Sequence, residues 1–181
     1  MKKALLYFFA LAIVLASCSN NSSNNKAPKE TPKPDSPSIT YDVYTNSRFG
    51  FSIMYPTFLS PQPEPENGDG RVFSNGKDEE MSVYASYNVL DQSIEELYQE
   101  CQSNVDGTVT YADQKDNWFL VSGTNEEGTI LYRKTILTDD IEYTVSVTYP
   151  KDKKQQYDEI VEKVAESFKV GLEVTIQETN F

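Results

Sequence analysis

The stretch TILYRKTILTDDIEYTVSVTYP, residues 129–150, decides the fold class. Ile141, Tyr143, Val145, Val147 and Tyr149 alternate with Glu142, Thr144, Ser146 and Thr148, the period-two signature of a strand with one apolar and one polar face. Pro150 ends it, because proline has no N–H to give a ladder. Residues 129–137 read as its partner strand, and Asp139-Asp140, a turn-compatible pair, joins the two as an antiparallel hairpin. If that turn has two residues, Arg133, Thr135, Glu142, Thr144, Ser146 and Thr148 fall together on the polar side of the sheet. One guanidinium among hydroxyls can hold a carboxylate or a sugar edge, which makes these six the candidate binding face; the plainer alternative is a water-facing sheet surface.

Working outward, Phe49, Phe51, Ile53 and Tyr55 alternate with smaller residues up to Pro56, another strand. Residues 57–70 carry Pro61, Pro63, Pro65 and two glycines and read as a surface loop. Val72 and Phe73 open a short strand, and residues 80–87 a longer one. Ser93 followed by Glu96 is a capping-box pair, and Ile94, Leu97, Tyr98 and Cys101 recur at helical spacing, so Cys101 is expected on the buried face of a helix. Strands are expected at about 107–111 and 118–122. In Trp118-Phe119-Leu120-Val121 both side-chain faces are apolar, which predicts cover on both sides. Tyr157, Ile160, Val161, Val164 and Phe168 form one stripe of a closing helix over about 153–168; Gly171 stops it, and residues 172–176 are expected to add a short strand. Strands, a helix, more strands and a closing helix describe an α+β fold, a largely antiparallel β-sheet flanked by helices.

The N-terminal segment is read as a processing signal. Lys2 and Lys3 precede an apolar run from Ala4 to Leu15, too short to span a bilayer and fitted to a secretory signal. Leu15-Ala16-Ser17-Cys18 resembles the bacterial lipobox, which implies a signal peptide over residues 1–17, a diacylglyceryl group on Cys18, and an exported chain lipid-anchored to the cell membrane or outer membrane. Residues 18–38 then form a tether rich in Asn, Ser and Pro, too polar to build a core. With Cys18 acylated, Cys101 has no partner for a disulfide. Residues 39–181 are expected to be one domain.

Composition removes whole classes of chemistry. The 181 residues include no histidine and two cysteines, so Ser-His-Asp, Cys-His and His-ligated zinc sites are excluded. Residues 39–181 hold 11 Lys+Arg against 26 Asp+Glu, a net −15, and nucleic acid is not a partner for such a surface. The acidic residues Asp78, Glu79 and Glu80, with Asp69 from the loop before them, are weak candidates for a hard cation; a solvated acidic turn explains them as well. Among nineteen aromatics in residues 39–181, Tyr44, Tyr84 and Trp118 are the candidates for a recognition platform. Asp139 and Glu142 offer paired carboxylates, yet no nucleophile motif, phosphate loop or metal signature accompanies them, so no enzyme activity and no cofactor is expected.

The motifs Phe49-Gly50-Phe51-Ser52-Ile53-Met54-Tyr55-Pro56, Trp118-Phe119-Leu120-Val121-Ser122-Gly123, Leu131-Tyr132-Arg133-Lys134 and Ala165-Glu166-Ser167-Phe168-Lys169 together resemble PsbP-like domains, over roughly residues 41–170. The resemblance implies a central antiparallel sheet between helices, an α/β/α sandwich. It also implies a non-enzymatic protein that docks on partners, as the extrinsic photosystem subunit and a nuclear-transport factor of that superfamily do. Histidine-based metal sites of the photosystem branch have no counterpart here. The expectation is an envelope lipoprotein that docks on a protein partner; the alternative is a small-ligand or glycan binder.

Overall fold

The computed structural model describes residues 38–171. The signal segment, Cys18, the tether up to residue 37 and the strand expected at 172–176 lie outside them. Nine strands and two helices run in chain order β1 (Tyr41–Asn46), β2 (Phe51–Pro56), β3 (Ser60–Pro61), β4 (Gly70–Ser74), β5 (Glu80–Tyr87), α1 (Ile94–Ser103), β6 (Thr108–Lys115), β7 (Trp118–Thr124), β8 (Thr129–Thr138), β9 (Ile141–Pro150) and α2 (Lys154–Ser167), with one 3₁₀ turn at Lys151–Lys153 before α2. Strands β3 to β9 make a seven-stranded sheet in the order β3-β4-β5-β9-β8-β7-β6, every pairing antiparallel, while β1 and β2 form a separate hairpin. Among the described residues no helix is long and apolar enough to cross a membrane.

The β8–β9 register pairs Thr138 with Ile141 across Asp139-Asp140, and Asp139 takes the left-handed conformation (φ 51°) that a short aspartate side chain tolerates. Ile141, Tyr143, Val145, Val147 and Tyr149 of β9 therefore point one way. Tyr143, Val145, Val147 and Tyr149 are buried together with Met81, Val83 and Ala85 of β5, under a layer made of α2 and the β1–β2 hairpin. Helix α2 contributes Tyr157, Ile160, Val161 and Val164, and the hairpin contributes Tyr44, Phe51 and Ile53. Phe51 lies edge-on between Tyr143 (6.1 Å) and Phe168 (5.9 Å), and each such buried ring stabilises the fold by about 1.5–3 kcal/mol relative to exposure. Beyond α2, Ser52 and Lys169 exchange backbone hydrogen bonds of 2.9 Å, tying the hairpin to the chain that leaves the helix. Lys134 Nζ donates to the Ala165 carbonyl at 2.9 Å, a cation at the end of α2 where carbonyls lack partners.

Helix α1 covers the other face of the sheet. Its capping box is complete, with Ser93 Oγ accepting from the Glu96 amide and the Glu96 carboxylate accepting from the Ser93 amide. Leu97 and Cys101 sit on Phe119 and Val121 of β7, a second, smaller core.

Four expectations change. Residues 57–70 are more than a surface loop: Leu59 is fully buried and Ser60–Pro61 pairs with β4. Strand β7 is fully covered only by α1; Trp118 and Leu120 on its other face are half-buried, and the Lys115 and Lys134 ammonium groups stand 5.5 and 5.4 Å from the Trp118 ring. Strand β6 runs on to Lys115, past a register shift between Val109 and Tyr111. The acidic turn is not wholly solvated, because Glu79 is buried against Lys153.

Candidate functional site

The register places Arg133 opposite Ser146, Thr135 opposite Thr144, and Leu137 opposite Glu142, so the six residues of the polar face lie on one side of the sheet. This is the side that α1 covers. The helix sits over β6 and β7 and, beside the hydroxyl-bearing part of β8 and β9, borders an open cleft of about 210 Å³. Arg133, Thr135, Glu142 and Thr144 form its floor with Phe119 and Tyr84. Leu97, Glu100 and Cys101 of α1 and Asn104, which caps its C-terminus, form its wall, and Gln92 its lip. Thr135 and Thr144 are only 3% exposed, so the centre of this face is covered, while Arg133, Glu142 and Thr148 are half-buried. Ser146 and Thr148, opposite Arg133 and Leu131, do not line the cleft.

Partners in the cleft are unevenly distributed. The Thr135 and Thr144 hydroxyls bond to each other at 2.9 Å, satisfying a buried pair. Arg133 Nε donates to Ser146 Oγ at 2.9 Å, which fixes the guanidinium plane. Among the described residues, no carboxylate lies within 4.0 Å of that guanidinium and no cation within 4.0 Å of Glu142. Burial, with the nearby Glu100 carboxylate adding to it, pushes the Glu142 carboxyl above its ordinary value. Burial likewise pushes the Cys101 thiol up, with Arg133 partly opposing it, so Cys101 remains a neutral thiol.

The β5–α1 connection forms the rim. Asn88 accepts from the Gln92 amide at 3.0 Å and donates from its side chain to the Gln92 carbonyl at 2.7 Å, while its own amide donates to Asp140 at 2.7 Å. This clamp holds the base of a loop whose Val89 and Leu90 are 85% and 75% exposed, beside Tyr87 at 60%. The Tyr87 ring meets Phe49 edge-on at 5.5 Å. Asp91, Glu95, Asp139 and Asp140, all exposed, belong to the loop, the first turn of α1 and the adjoining β8–β9 turn. An apolar tip rimmed with acids results.

The remaining candidates are dispersed. Asp69 receives a hydrogen bond from Asn67, and its carbonyl accepts from the Ala85 amide near one end of β5. Asp78, Glu79 and Glu80 lie at the other end. There Lys153 pairs with Glu79 at 2.7 Å and Asp78 at 3.9 Å, and Asn75 donates to both carboxylates. Among the described residues no three acidic, cysteine or histidine side chains converge as metal ligands. Tyr44, Tyr84 and Trp118 do not share a platform: Tyr44 is buried between Phe51 and Phe73, Tyr84 lines the cleft, and Trp118 faces the opposite side of the sheet. Asp139 is exposed in the hairpin turn and does not line the cleft with Glu142.

No family model and no curated protein sequence matches this chain. Among solved structures, the solution structure of cyanobacterial PsbP (CyanoP) from Synechocystis sp. PCC 6803 matches at a TM-score of 0.55 and 15% identity, covering 80% of this chain and 99% of that one. A crystal structure from Bacteroides thetaiotaomicron VPI-5482 matches at a TM-score of 0.43 and 18% identity, covering 68% of this chain and 46% of that one. At 15% identity the first likeness is one of architecture alone. The described residues have a PsbP-like α+β fold.

Proposed function

We propose that this chain is an exported lipoprotein, anchored through an acylated Cys18 to a bacterial envelope membrane, and that its domain is a non-enzymatic docking module for an envelope protein. The observation that carries this reading is the clamped apolar tip at Tyr87, Val89 and Leu90. Exposing two aliphatic side chains on a loop held at its base is unfavourable in isolation and becomes favourable when a partner buries them, with little ordering entropy left to lose. The acidic rim selects among partners. A surface with an apolar socket bordered by Lys and Arg complements it, and an anionic lipid surface repels it. The Pro-rich tether allows the domain to reach such a partner a few tens of Å from the membrane, at about 3.1 Å per extended residue.

The test is in-cell cross-linking of the full-length chain with mass spectrometry, alongside Cys18→Ala and Leu90→Asp. One dominant envelope protein captured by the native chain, and lost in both variants, supports docking through the tip from a membrane tether. Capture that survives Leu90→Asp removes the tip from the account, and capture that survives Cys18→Ala removes the anchor.

A further inference from the structure

Arg133 and Glu142 are opposite charges lining one cleft, and neither has an ionic partner among the described residues. They do not reach each other. On β9, Ser146, which faces Arg133, is four residues from Glu142, so the two backbones are about 13 Å apart at about 3.3 Å per residue, with the Thr135–Thr144 pair between them. A half-buried charge without a counter-ion is costly, and two of opposite sign at the ends of one cleft define what would satisfy both.

We propose that the cleft between α1 and the β8–β9 face binds a small zwitterion of amino-acid to dipeptide size, its carboxylate on Arg133 and its ammonium on Glu142. The Arg133 Nε bond to Ser146 leaves the terminal nitrogens of the fork, which also stand near the Cys101 thiol, to meet a carboxylate. At the other end the nearby Glu100 carboxylate adds to burial in making the Glu142 charge unfavourable, so a cation there relieves it. Gln92, held to Glu100 by its side-chain amide at 2.9 Å, keeps that carboxylate at the lip.

The alternatives fit less well. A plain anion leaves Glu142 unpaired and must enter a domain of net charge −15. A neutral sugar leaves both charges unpaired. The volume, about 210 Å³, is below the roughly 300–1,000 Å³ of sites for drug-sized ligands, which sets the upper size. Phe119, Leu97 and Cys101 provide an apolar wall for a small uncharged side chain. This inference is independent of docking through the tip, since either can hold without the other.

The test is titration calorimetry on the full-length chain in detergent with glycine, L-alanine, glycylglycine and L-alanyl-L-alanine, followed by the N-acetyl and C-terminal amide forms of whichever binds. Native gel filtration and thermal melting verify that Arg133→Met and Glu142→Gln remain folded. The expected result is binding by at least one of the four, weakened about tenfold or more by either cap and by either substitution. The capped ligands probe the native protein, so the proposal stays falsifiable if a variant misfolds. Absence of binding by all four overturns it, as does binding indifferent to both caps, or binding of N-acetylglucosamine in their place.

Discussion

Tyr157 is fully buried on α2, its ring stacked on Tyr149 at 4.1 Å and 6°, and its hydroxyl faces the Glu79 carboxylate without a hydrogen bond of ordinary geometry among the described residues. Burial, with the Glu79 and Asp78 carboxylates nearby, pushes its phenol far up, and burial carries Tyr149 up to about 12; both rings stay neutral. A buried hydroxyl without a partner costs stability, so Tyr157→Phe is expected to stabilise the domain by up to about 1 kcal/mol, read as a raised melting temperature. A fall of similar size would show that the hydroxyl is bonded. Glu142 gives a second residue-scale prediction. Its folded-state carboxyl titrates above the ordinary value of 4.5, so the folded chain takes up a proton before the unfolded chain does. The ionised form therefore costs stability at neutral pH, and the cost disappears as pH falls through the raised value to below 4.5. Glu142→Gln should melt higher than the native chain at pH 7 and equally below pH 4.5; a difference independent of pH contradicts this. Residue chemistry of this kind is only partly legible in sequence. The alternation of β9 identifies Glu142 as polar-face, but nothing local says that a helix will cover it.

Helix α1 is the element on which the site depends, and its start and buried face are readable because capping and periodicity are local. Ser93 and Glu96 predict the start, Leu97 and Cys101 the buried stripe, and the structure has both. Backbone and hydroxyl hydrogen bonds from Ser93 hold the Glu96 carboxyl below its usual range, so the cap is complete above the ordinary Glu value and is lost as pH drops through the lowered one. Ser93→Ala should cost about 1 kcal/mol at pH 7, less under acid, with the extra amide exchange concentrated in residues 94–103. Uniform exchange across the sheet would contradict a local role. Strands β1 and β3 escaped the sequence reading for opposite reasons. In β1 only Tyr44 and Asn46 are buried, so hydrophobic alternation is nearly absent, and β3 has two residues, fewer than any period needs.

At the scale of the molecule, the sheet order is what the sequence withheld. Strand β9 sits between β8, its hairpin partner, and β5, which ends more than fifty residues earlier. Pairing of β5 with β9 leaves no local mark, yet it brings Tyr84 to the cleft and the 88–92 loop to the β8–β9 turn. The hairpin register predicted the six-residue face, whereas its roof came from α1, through Phe119 and Val121 of a strand three positions from β5 in the sheet. The net −15 of residues 39–181 adds a whole-molecule expectation: association with a partner bearing Lys and Arg should be faster at low salt and slow as ionic strength rises.

A site-specific photo-cross-linker in the full-length chain in cells reads docking through the apolar tip position by position. The probe is placed in turn at Leu90, at Tyr111, which is exposed on β6, and at Val43, which is exposed on β1. A single discrete protein adduct is expected from position 90, absent from positions 111 and 43, and abolished by Val89→Asp. Equal adducts from all three positions, or an adduct from 43 or 111 and none from 90, would contradict it.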